Sequence, residues 1–232
     1  MRGGSCSRCR LVGYDHRWSS GDRDVSFITQ ALKNSYHTGS VWPSSRALAR
    51  TITRSFREQD GPRKILEVGP GSGPFTKIIL DSLRPDDEYH LVEINEAFCK
   101  NLQSRLIDPY LSQSKDTAKV ELHQGAIEDV TLPSTFDFTV CGLPFNNFPP
   151  TVTRSIFRQL LELTRNTGNL AYFEYAAVRT MRGAVVGAEG RAKIKRIDAH
   201  GKSMLKRFKG ERELVLGNLP PAYVIRLHGM GS

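Results

Sequence analysis

The sequence predicts an α/β protein built on a seven-stranded, mostly parallel sheet with an antiparallel last strand. From Lys64 onward, short apolar runs of strand type alternate with helical patterns, which is typical of a parallel sheet whose strands are joined by helices. A glycine-rich turn follows the first of these strands, as expected at the carboxyl edge of such a sheet. The last two strands are joined by only a few residues, so they should run antiparallel.

The predicted elements follow one another without internal repeats. Strands are expected at residues 64–68, 89–93, 119–123, 136–141, 169–175, 212–217 and 222–228. Helices are expected at 74–83, 95–107 and 151–165, and two further amphipathic helices, at 25–36 and 45–56, precede the sheet. The chain is thereby divided into a loose basic tail (1–24), an N-terminal helical segment (25–60) and a domain (61–232) with a basic amphipathic insertion (179–212).

The composition is that of a soluble globular chain with unevenly distributed charge. Of the 232 residues, 39% are hydrophobic and 25% are charged, and we expect neither a signal peptide nor a membrane span. The net charge of +9 is divided into a basic start (12 Lys and Arg against 5 Asp and Glu over 1–64), an acidic middle (9 against 15 over 65–178) and a basic end (12 against 4 over 179–232). This pattern favours a domain for a small cationic ligand, flanked by surfaces that meet a polyanion.

The cysteines and histidines predict no metal site. Cys6 and Cys9 form a CxxC in the tail, but the other two cysteines are isolated in separate segments, so the second pair that zinc needs is missing. Four histidines are scattered along the chain without the spacing of metal ligands, namely His37, His90, His123 and His200. Among these, His37 lies beside the segment expected to admit the substrate.

The strongest motif is Glu-Val-Gly-Pro-Gly-Ser-Gly, residues 67–73, between the first strand and its helix. Gly69, Gly71 and Gly73 allow a tight turn that approaches a ligand closely, and the amides of the following helix can meet a carboxylate or phosphate. A dinucleotide fingerprint would have its third glycine at position 74, which is proline. The G-x-G-x-G spacing resembles motif I of class I S-adenosylmethionine-dependent methyltransferases. Turn glycines without a ligand remain the alternative.

Residues that end the next strands complete a predicted cofactor site. Glu93 is placed to accept hydrogen bonds from both ribose hydroxyls. The segment Gly125-Ala126-Ile127-Glu128 follows the third strand, where such enzymes bind the adenine of the cofactor. Many of them carry an acid at the position of Ala126, so we expect backbone groups or Glu128 to contact the adenine here. In adenine N6-methyltransferases of nucleic acids a polar residue at the position of Gly142 holds the target amino group, so Gly142 disfavours base methylation. The predicted set is Glu67, Gly69, Gly71, Gly73, Glu93, Ala126, Ile127 and Gly142.

Six segments in order resemble the bacterial phospholipid N-methyltransferases, the soluble type that methylates phosphatidylethanolamine, with relatives that act on ornithine lipids. The segments are 38–46, 66–76, 93–98, 142–148, 172–175 and 218–222, and the resemblance spans about residues 25–228. It implies a Rossmann-like class I methyltransferase fold, S-adenosyl-L-methionine as cofactor and S-adenosyl-L-homocysteine as product. It also implies that Glu67 helps to orient the methionine amine, and that an N-terminal amphipathic helix lies on the membrane.

The residues after the fourth and fifth strands suit a lipid amine. Such an amine resembles lysine, whose reference pKa is about 10.4, and arrives protonated, so it needs a desolvated pocket and a proton acceptor. Glu174 is the expected anchor or base, with Tyr172 on its face of the strand and Tyr175 one residue beyond. Aromatic faces also hold a quaternary ammonium, and the rings expected to supply them together are Phe145, Phe148, Tyr172 and Tyr175. Strand aromatics are also often core residues. The predicted substrate contacts are Leu143, Pro144, Phe145, Asn146, Phe148, Tyr36, Ser44 and Arg46.

The basic flanks are compatible with either of two polyanionic partners, an anionic membrane or RNA. The insertion 179–212 carries eleven Lys and Arg interleaved with apolar residues, a pattern that binds an anionic leaflet but also RNA phosphates. We expect an anionic lipid surface as partner and a location in the cytoplasm, peripheral to the inner face of the cytoplasmic membrane; DNA is not expected. The alternatives are an rRNA adenine dimethyltransferase and a non-catalytic lipid- or RNA-binding module with a vestigial cofactor site.

Overall fold

Eight strands form a single sheet in the computed structural model, which describes residues 11–12, 44–113, 116–145, 148–176 and 205–229. The strands are β1 (Leu11–Val12), β2 (Lys64–Val68), β3 (Glu88–Glu93), β4 (Lys119–Gln124), β5 (Phe136–Cys141), β6 (Thr164–Tyr175), β7 (Glu211–Val215) and β8 (Ala222–His228). Their order is β1-β4-β3-β2-β5-β6-β8-β7. Only the pairings of β8, with β6 and with β7, are antiparallel in this sheet. The seven predicted strands and the antiparallel last strand are confirmed.

The sheet gains one strand that the sequence analysis did not predict. Within the tail expected to be loose, Leu11 and Val12 pair in parallel with Leu122 and His123 of β4. The open backbone groups of an edge strand permit such an addition. A second difference concerns β6, which begins at Thr164 rather than at 169, because Thr164 pairs with β5 before the register shifts.

Six helices surround the strands in the described part of the chain. They are α1 (Arg46–Ile52), α2 (Arg54–Arg57), α3 (Pro74–Leu80), α4 (Glu96–Leu102), α5 (Asp108–Gln113) and α6 (Pro150–Leu163), with a π-helical stretch, Gln103–Ile107, joining α4 to α5. The single helix predicted at 45–56 is interrupted at Thr53, whose hydroxyl donates to the carbonyl of Ala49 at 2.7 Å. Ser45 caps α1 by accepting from the Leu48 amide at 3.1 Å.

Two apolar layers, one on each face of the sheet, hold the fold together. On the first face Ile65 of β2 packs with Leu48 and Ile79 of the helices α1 and α3. On the second face Leu66, the next residue of β2, packs with Ile156 and Leu160 of α6. Strands buried on both faces are continuously apolar, which explains the unbroken hydrophobic runs of the sequence. The carboxyl edge lies between these layers.

The N-terminal helices are fixed to the antiparallel end of the sheet. Arg226 of β8 donates to the carbonyl of Thr51 at 2.6 Å and to the carboxylate of Glu213 at 2.9 Å. Arg54 pairs with the same carboxylate at 3.0 Å from a more exposed position. The predicted helix at 25–36, the Cys6–Cys9 pair and residues 179–204 of the basic insertion lie outside the described residues. None of the described helices combines the length and the apolar character that crossing a bilayer requires.

Candidate active site

The parallel strands end at the same level, so their following turns meet at one edge. Val68 of β2 is in register with Val92 of β3 and with Cys141 of β5, and Cys141 is in turn in register with Tyr172 of β6. The turns that begin at Gly69 and Gly142 are therefore neighbours. Ligands of open α/β sheets bind at such an edge.

The turn after β2 and the turn after β5 are in direct contact. Gly69 has a φ of +70°, which side-chain-bearing residues rarely adopt, and a Cβ there would overlap the side chain of Leu143. A Cβ on Gly142 would lie 2.5 Å from the carbonyl oxygen of Gly69. Gly73 begins α3 as its N-cap and is followed by Pro74. The glycines of the turn formed by residues 69–73 therefore present backbone without side chains toward the edge of the sheet, and we call this turn the cradle.

Glu93 stands at the end of β3, as predicted, with both carboxylate oxygens already engaged by backbone. Oε2 accepts from the amide of Gly71 at 2.9 Å, and Oε1 accepts from the amide of Asn95 at 2.8 Å. Burial raises the pKa of Glu93. Each oxygen retains further acceptor capacity, so the carboxylate can hold the Gly-rich turn in place and still receive ligand hydroxyls.

Glu67 is completely buried below the cradle and is held by two hydroxyls that the sequence analysis did not single out. Thr76 donates to its Oε2 at 2.8 Å, and the Tyr89 hydroxyl donates to the same oxygen. Oε1 has no hydrogen-bond partner among the described residues. Burial raises the pKa of Glu67 to about 7. The proximity of a helix threonine and a neighbouring-strand tyrosine depends on tertiary packing, so no local motif could have revealed it.

An apolar cavity opens beside the cradle. It is lined by the predicted residues Gly69, Glu93, Ala126, Ile127 and Leu143 and by residues that were not predicted, among them Ile94 and Ile156. Glu128, the predicted alternative adenine contact, lines the same cavity. Apolar walls with a few polar groups at one end suit a nucleoside. The glycine turn, the unpaired Oε1 of Glu67 and this cavity together fit S-adenosylmethionine. That Glu93 binds its ribose and Glu67 its cationic end stays a prediction.

Four aromatic rings form a cluster next to this cavity. Phe145 lies 6.2 Å from Phe148, 5.8 Å from Tyr172 and 4.6 Å from Phe157, measured between ring centroids. Phe157 of α6 also contacts Tyr172 at 4.9 Å and was missed because its place on a helix gave no sign of the cluster. Leu143 and Pro144, the residues before Phe145, are buried with them. We call Phe145, Phe148, Phe157 and Tyr172 the aromatic cluster.

Other predicted substrate residues are not all brought together. Tyr175 points to the opposite face of β6 from Tyr172 and packs on Phe173 at 5.2 Å, because strand side chains alternate. The expectation that Tyr175 joins the cluster is wrong for this reason. Glu174 is half-buried and follows Tyr172 on the same face. Ser44 is half-buried and Arg46 is exposed at the start of α1, while Tyr36 and Asn146 lie outside the described residues.

Two histidines that their sequence spacing did not connect lie side by side. Nδ1 of His90 is 2.9 Å from Nε2 of His123, and Nε2 of His90 is 3.1 Å from a carboxylate oxygen of Glu88. Pairing of β3 with β4 brings them together, a proximity that the sequence analysis did not predict. Burial lowers the pKa of both, that of His123 to about 4, so both are neutral at pH 7. With Glu121 they form a group of metal-type ligands within 4.8 Å; the absence of a metal stays a prediction.

Comparison with known proteins defines the class. A family model described as "Methyltransferase domain" matches residues 65–168. The O-methyltransferase TomG from Streptomyces achromogenes, solved in complex with SAM, is similar with a TM-score of 0.58 and 17% identity over 90% of this chain and 91% of that chain. The O-methyltransferase from Bacillus cereus, in complex with SAH, has a TM-score of 0.56 and 15% identity over 94% and 93%. This chain is a class I S-adenosylmethionine-dependent methyltransferase.

Sequence similarity narrows the class to a family. The ornithine lipid N-methyltransferase of Singulisphaera acidiphila is 30% identical over 147 residues, which cover 61% of this chain and 72% of that protein. The chain belongs to the family of aminolipid N-methyltransferases, in agreement with the resemblance found in the sequence. S-adenosylmethionine is its cofactor and S-adenosylhomocysteine the product.

Proposed function

We propose that this chain methylates the amino head group of a membrane aminolipid, phosphatidylethanolamine or an ornithine lipid, at the surface of the cytoplasmic membrane. The observation that carries the proposal is the aromatic cluster beside the cofactor cradle. Leu143 contacts Gly69 of the cradle, and Phe145 of the cluster follows it by two residues. The similarity to a protein named ornithine lipid N-methyltransferase supports an amine of a lipid as the acceptor.

The chemistry requires a neutral amine at an electrophilic methyl group. S-adenosylmethionine supplies a methyl bonded to a positively charged sulfur. The aromatic cluster excludes water around the amine, which lowers the amine pKa, and Glu174 is our proposed acceptor of its proton. The amine lone pair then forms the new N–C bond, and the electron pair of the broken C–S bond stays on sulfur. After repeated methylation, the ring faces of Phe145 and Tyr172 still attract the ammonium product, which can no longer donate hydrogen bonds.

Base methylation is the rival reaction, and the residue at 142 weighs against it. Gly142 has no side chain to hold an adenine amino group, and its contact with the Gly69 carbonyl leaves no room for one. The residues that follow it, Leu143 and Phe145, belong to the buried apolar layer on this face of the sheet. A flipped base is read through polar contacts to its edge, whereas three of the four rings of the aromatic cluster, those of Phe145, Phe148 and Phe157, carry no polar group.

Transfer of a labelled methyl group tests the proposal. The full chain is incubated with methyl-labelled S-adenosylmethionine and, in separate reactions, vesicles of phosphatidylethanolamine, vesicles with ornithine lipid, and protein-stripped ribosomes. We expect label in the lipid extract of at least one vesicle reaction. Label in the ribosomal RNA alone would overturn the proposal in favour of adenine methylation. Calorimetry measures in parallel whether the chain binds S-adenosylmethionine. Absence of both cofactor binding and label would indicate a non-catalytic module with a vestigial site and would also overturn the proposal.

A further inference from the structure

The hairpin that joins β7 to β8 exposes apolar side chains at the catalytic edge. Leu214, Leu216 and Leu219 are 44%, 74% and 74% exposed, and they are the large hydrophobic residues that stand open to solvent in the described part of the chain. All three lie within six residues of one another. Exposed apolar groups gathered at one place mark a surface that meets a partner or a membrane.

The position of the hairpin follows from strand pairing. Tyr175, the last residue of β6, is in register with Ala222, the first residue of β8, so residues 216–221 project beyond the carboxyl ends of the parallel strands. The amide of Ala176 donates to the carbonyl of Pro221 at 2.8 Å, which extends this pairing into the turn. The hairpin therefore stands at the same edge as the cofactor cradle and the aromatic cluster.

The turn is held rigidly although its leucines point outward. Asn218 is buried; its Oδ1 accepts from the amide of Ser45 at 2.8 Å, and its Nδ2 donates to the carbonyl of Pro220 at 2.8 Å. A Cβ on Gly217 would lie 3.0 Å from the Cβ of Ala47, so the turn packs closely on the start of α1. Leu216 and Leu219 flank this anchor, and their exposure is thus a feature of an ordered turn.

Positive charge lies next to the leucines. Arg46 and Arg50 of α1 are exposed on the helix whose first turn carries the hairpin anchor. Exposed leucines beside arginines are the combination that binds an anionic bilayer: the apolar groups enter the acyl boundary and the cations meet lipid phosphates. The patch is a turn tip rather than a groove, which suits insertion into a fluid surface better than docking of a folded partner.

We propose that the β7–β8 hairpin is a membrane-inserting element: Leu216 and Leu219 enter the bilayer, Arg46 and Arg50 contact anionic head groups, and the mouth of the site is held at the membrane surface. This inference rests on the proposed function, because only a substrate anchored in a bilayer needs the site to be held there. It adds to that function a defined contact, located in the structure, through which the lipid is reached.

The test compares two paired substitutions in the full chain. Leu216→Ser with Leu219→Ser removes the apolar tip, while Leu216→Met with Leu219→Met keeps it. With vesicles of phosphatidylethanolamine and phosphatidylglycerol, we expect the serine pair to lose flotation and vesicle-lipid methylation about tenfold or more, and the methionine pair to behave like wild type. Both pairs should keep the wild-type Tm, since these side chains are already exposed. Equal flotation and methylation by wild type and serine pair would overturn the inference.

Two further measurements separate this inference from the proposed function. A dihexanoyl phosphatidylethanolamine, used below its micelle concentration, needs no bilayer; the serine pair should methylate it at the wild-type rate. If wild type methylates no lipid at all, the proposed function fails, whereas a Leu219→Trp variant in which Trp18 and Trp42 are replaced by Phe still reports on the hairpin. Its emission should shift to the blue on adding vesicles and be quenched by brominated acyl chains. Emission that is already blue-shifted without vesicles and unchanged by them would show that another part of the chain covers the tip, which contradicts insertion.

Discussion

At the residue scale, Glu67 shows how burial prepares a side chain for a cationic ligand. Its carboxyl group is fully buried, two hydroxyls satisfy one oxygen, and the other oxygen has no partner among the described residues. Burial raises its pKa to about 7, which places its charge change close to neutral pH. A positive ligand group beside it would favour the ionised form.

We therefore predict that cofactor affinity depends on the ionisation of Glu67. A carboxyl whose pKa is raised is neutral below that pKa and charged above it, so affinity for the cationic cofactor should fall as pH is lowered from 7.5 to 5.5, by up to about tenfold per unit below 7. Titration calorimetry of wild type against Glu67→Gln isolates the effect. Burial holds the pKa of Tyr89 and Cys141 far above this range, and Glu93 is present in both proteins.

The glutamine variant should bind more weakly at pH 7.5 and show the smaller pH dependence. The same fall in affinity in both proteins would assign it to Glu93, whose pKa is also raised by burial, and not to Glu67.

At the scale of elements, two turns from neighbouring strands build one site. The turn after β2 and the turn after β5 touch at Gly69 and Gly142. A Cβ at Gly142 would meet the carbonyl oxygen of Gly69, and a Cβ at Gly69 would meet the side chain of Leu143. The second turn then leads directly into Phe145 of the aromatic cluster. The cofactor cradle and the aromatic cluster are thus positioned by the same backbone crossing.

A single methyl group at this crossing should disrupt cofactor binding. The Cβ of Gly142→Ala would lie 2.5 Å from the Gly69 carbonyl oxygen, so the two turns must separate. We expect the dissociation constant for S-adenosylmethionine to rise at least tenfold, about 1.4 kcal/mol, by calorimetry. Gly61→Ala is the matched control: Gly61 has a φ of +81° but nothing within 4 Å of its added Cβ, so it should lower stability by about 1 kcal/mol and leave affinity unchanged. Wild-type affinity in the Gly142 variant would contradict this account.

At the scale of the whole molecule, ion pairs and carbonyl contacts attach the N-terminal helices to the far end of the sheet. Arg226 and Arg54 both pair with Glu213, but the side chain of Arg226 is 3% exposed and that of Arg54 is 44% exposed. Arg226 also donates to the carbonyl of Thr51 in α1. Only the buried arginine links β8, β7 and α1 at once.

Replacing these two arginines should have unequal effects on global stability. Arg226→Met leaves the Thr51 carbonyl without its donor and removes the buried cation, and we expect the free energy of unfolding to fall by about 2 kcal/mol. Arg54→Met removes a surface pair and should cost about 0.5 kcal/mol or less. Urea unfolding at pH 7 measures both. Similar losses in the two variants would show that Glu213, rather than the link to α1, accounts for the stabilisation.

Much of the fold was predictable because it depends on residues close together in the chain. Strand periodicity, the Gly69–Gly73 spacing and Glu93 at its strand end are local patterns, and all lie where the sequence analysis expected them. Tyr175 was grouped with Tyr172 although the alternation of side chains along a strand places the two on opposite faces of β6. Phe157 was missed because it reaches the cluster from α6. The contact between His90 and His123 was not predicted either, because it arises only when β3 pairs with β4.

By itself, the sequence determined an α/β methyltransferase with a glycine-rich cofactor turn, an acidic centre and basic flanks. These properties are carried by short-range patterns and by composition, which need no knowledge of distant contacts. Only the tertiary structure decided that Thr76 and Tyr89 hold Glu67, that Gly142 lies against Gly69, and that Leu216 and Leu219 stand exposed beside the site. The reason is physical: each of these features is set by strand order and helix packing, which join residues far apart in the chain.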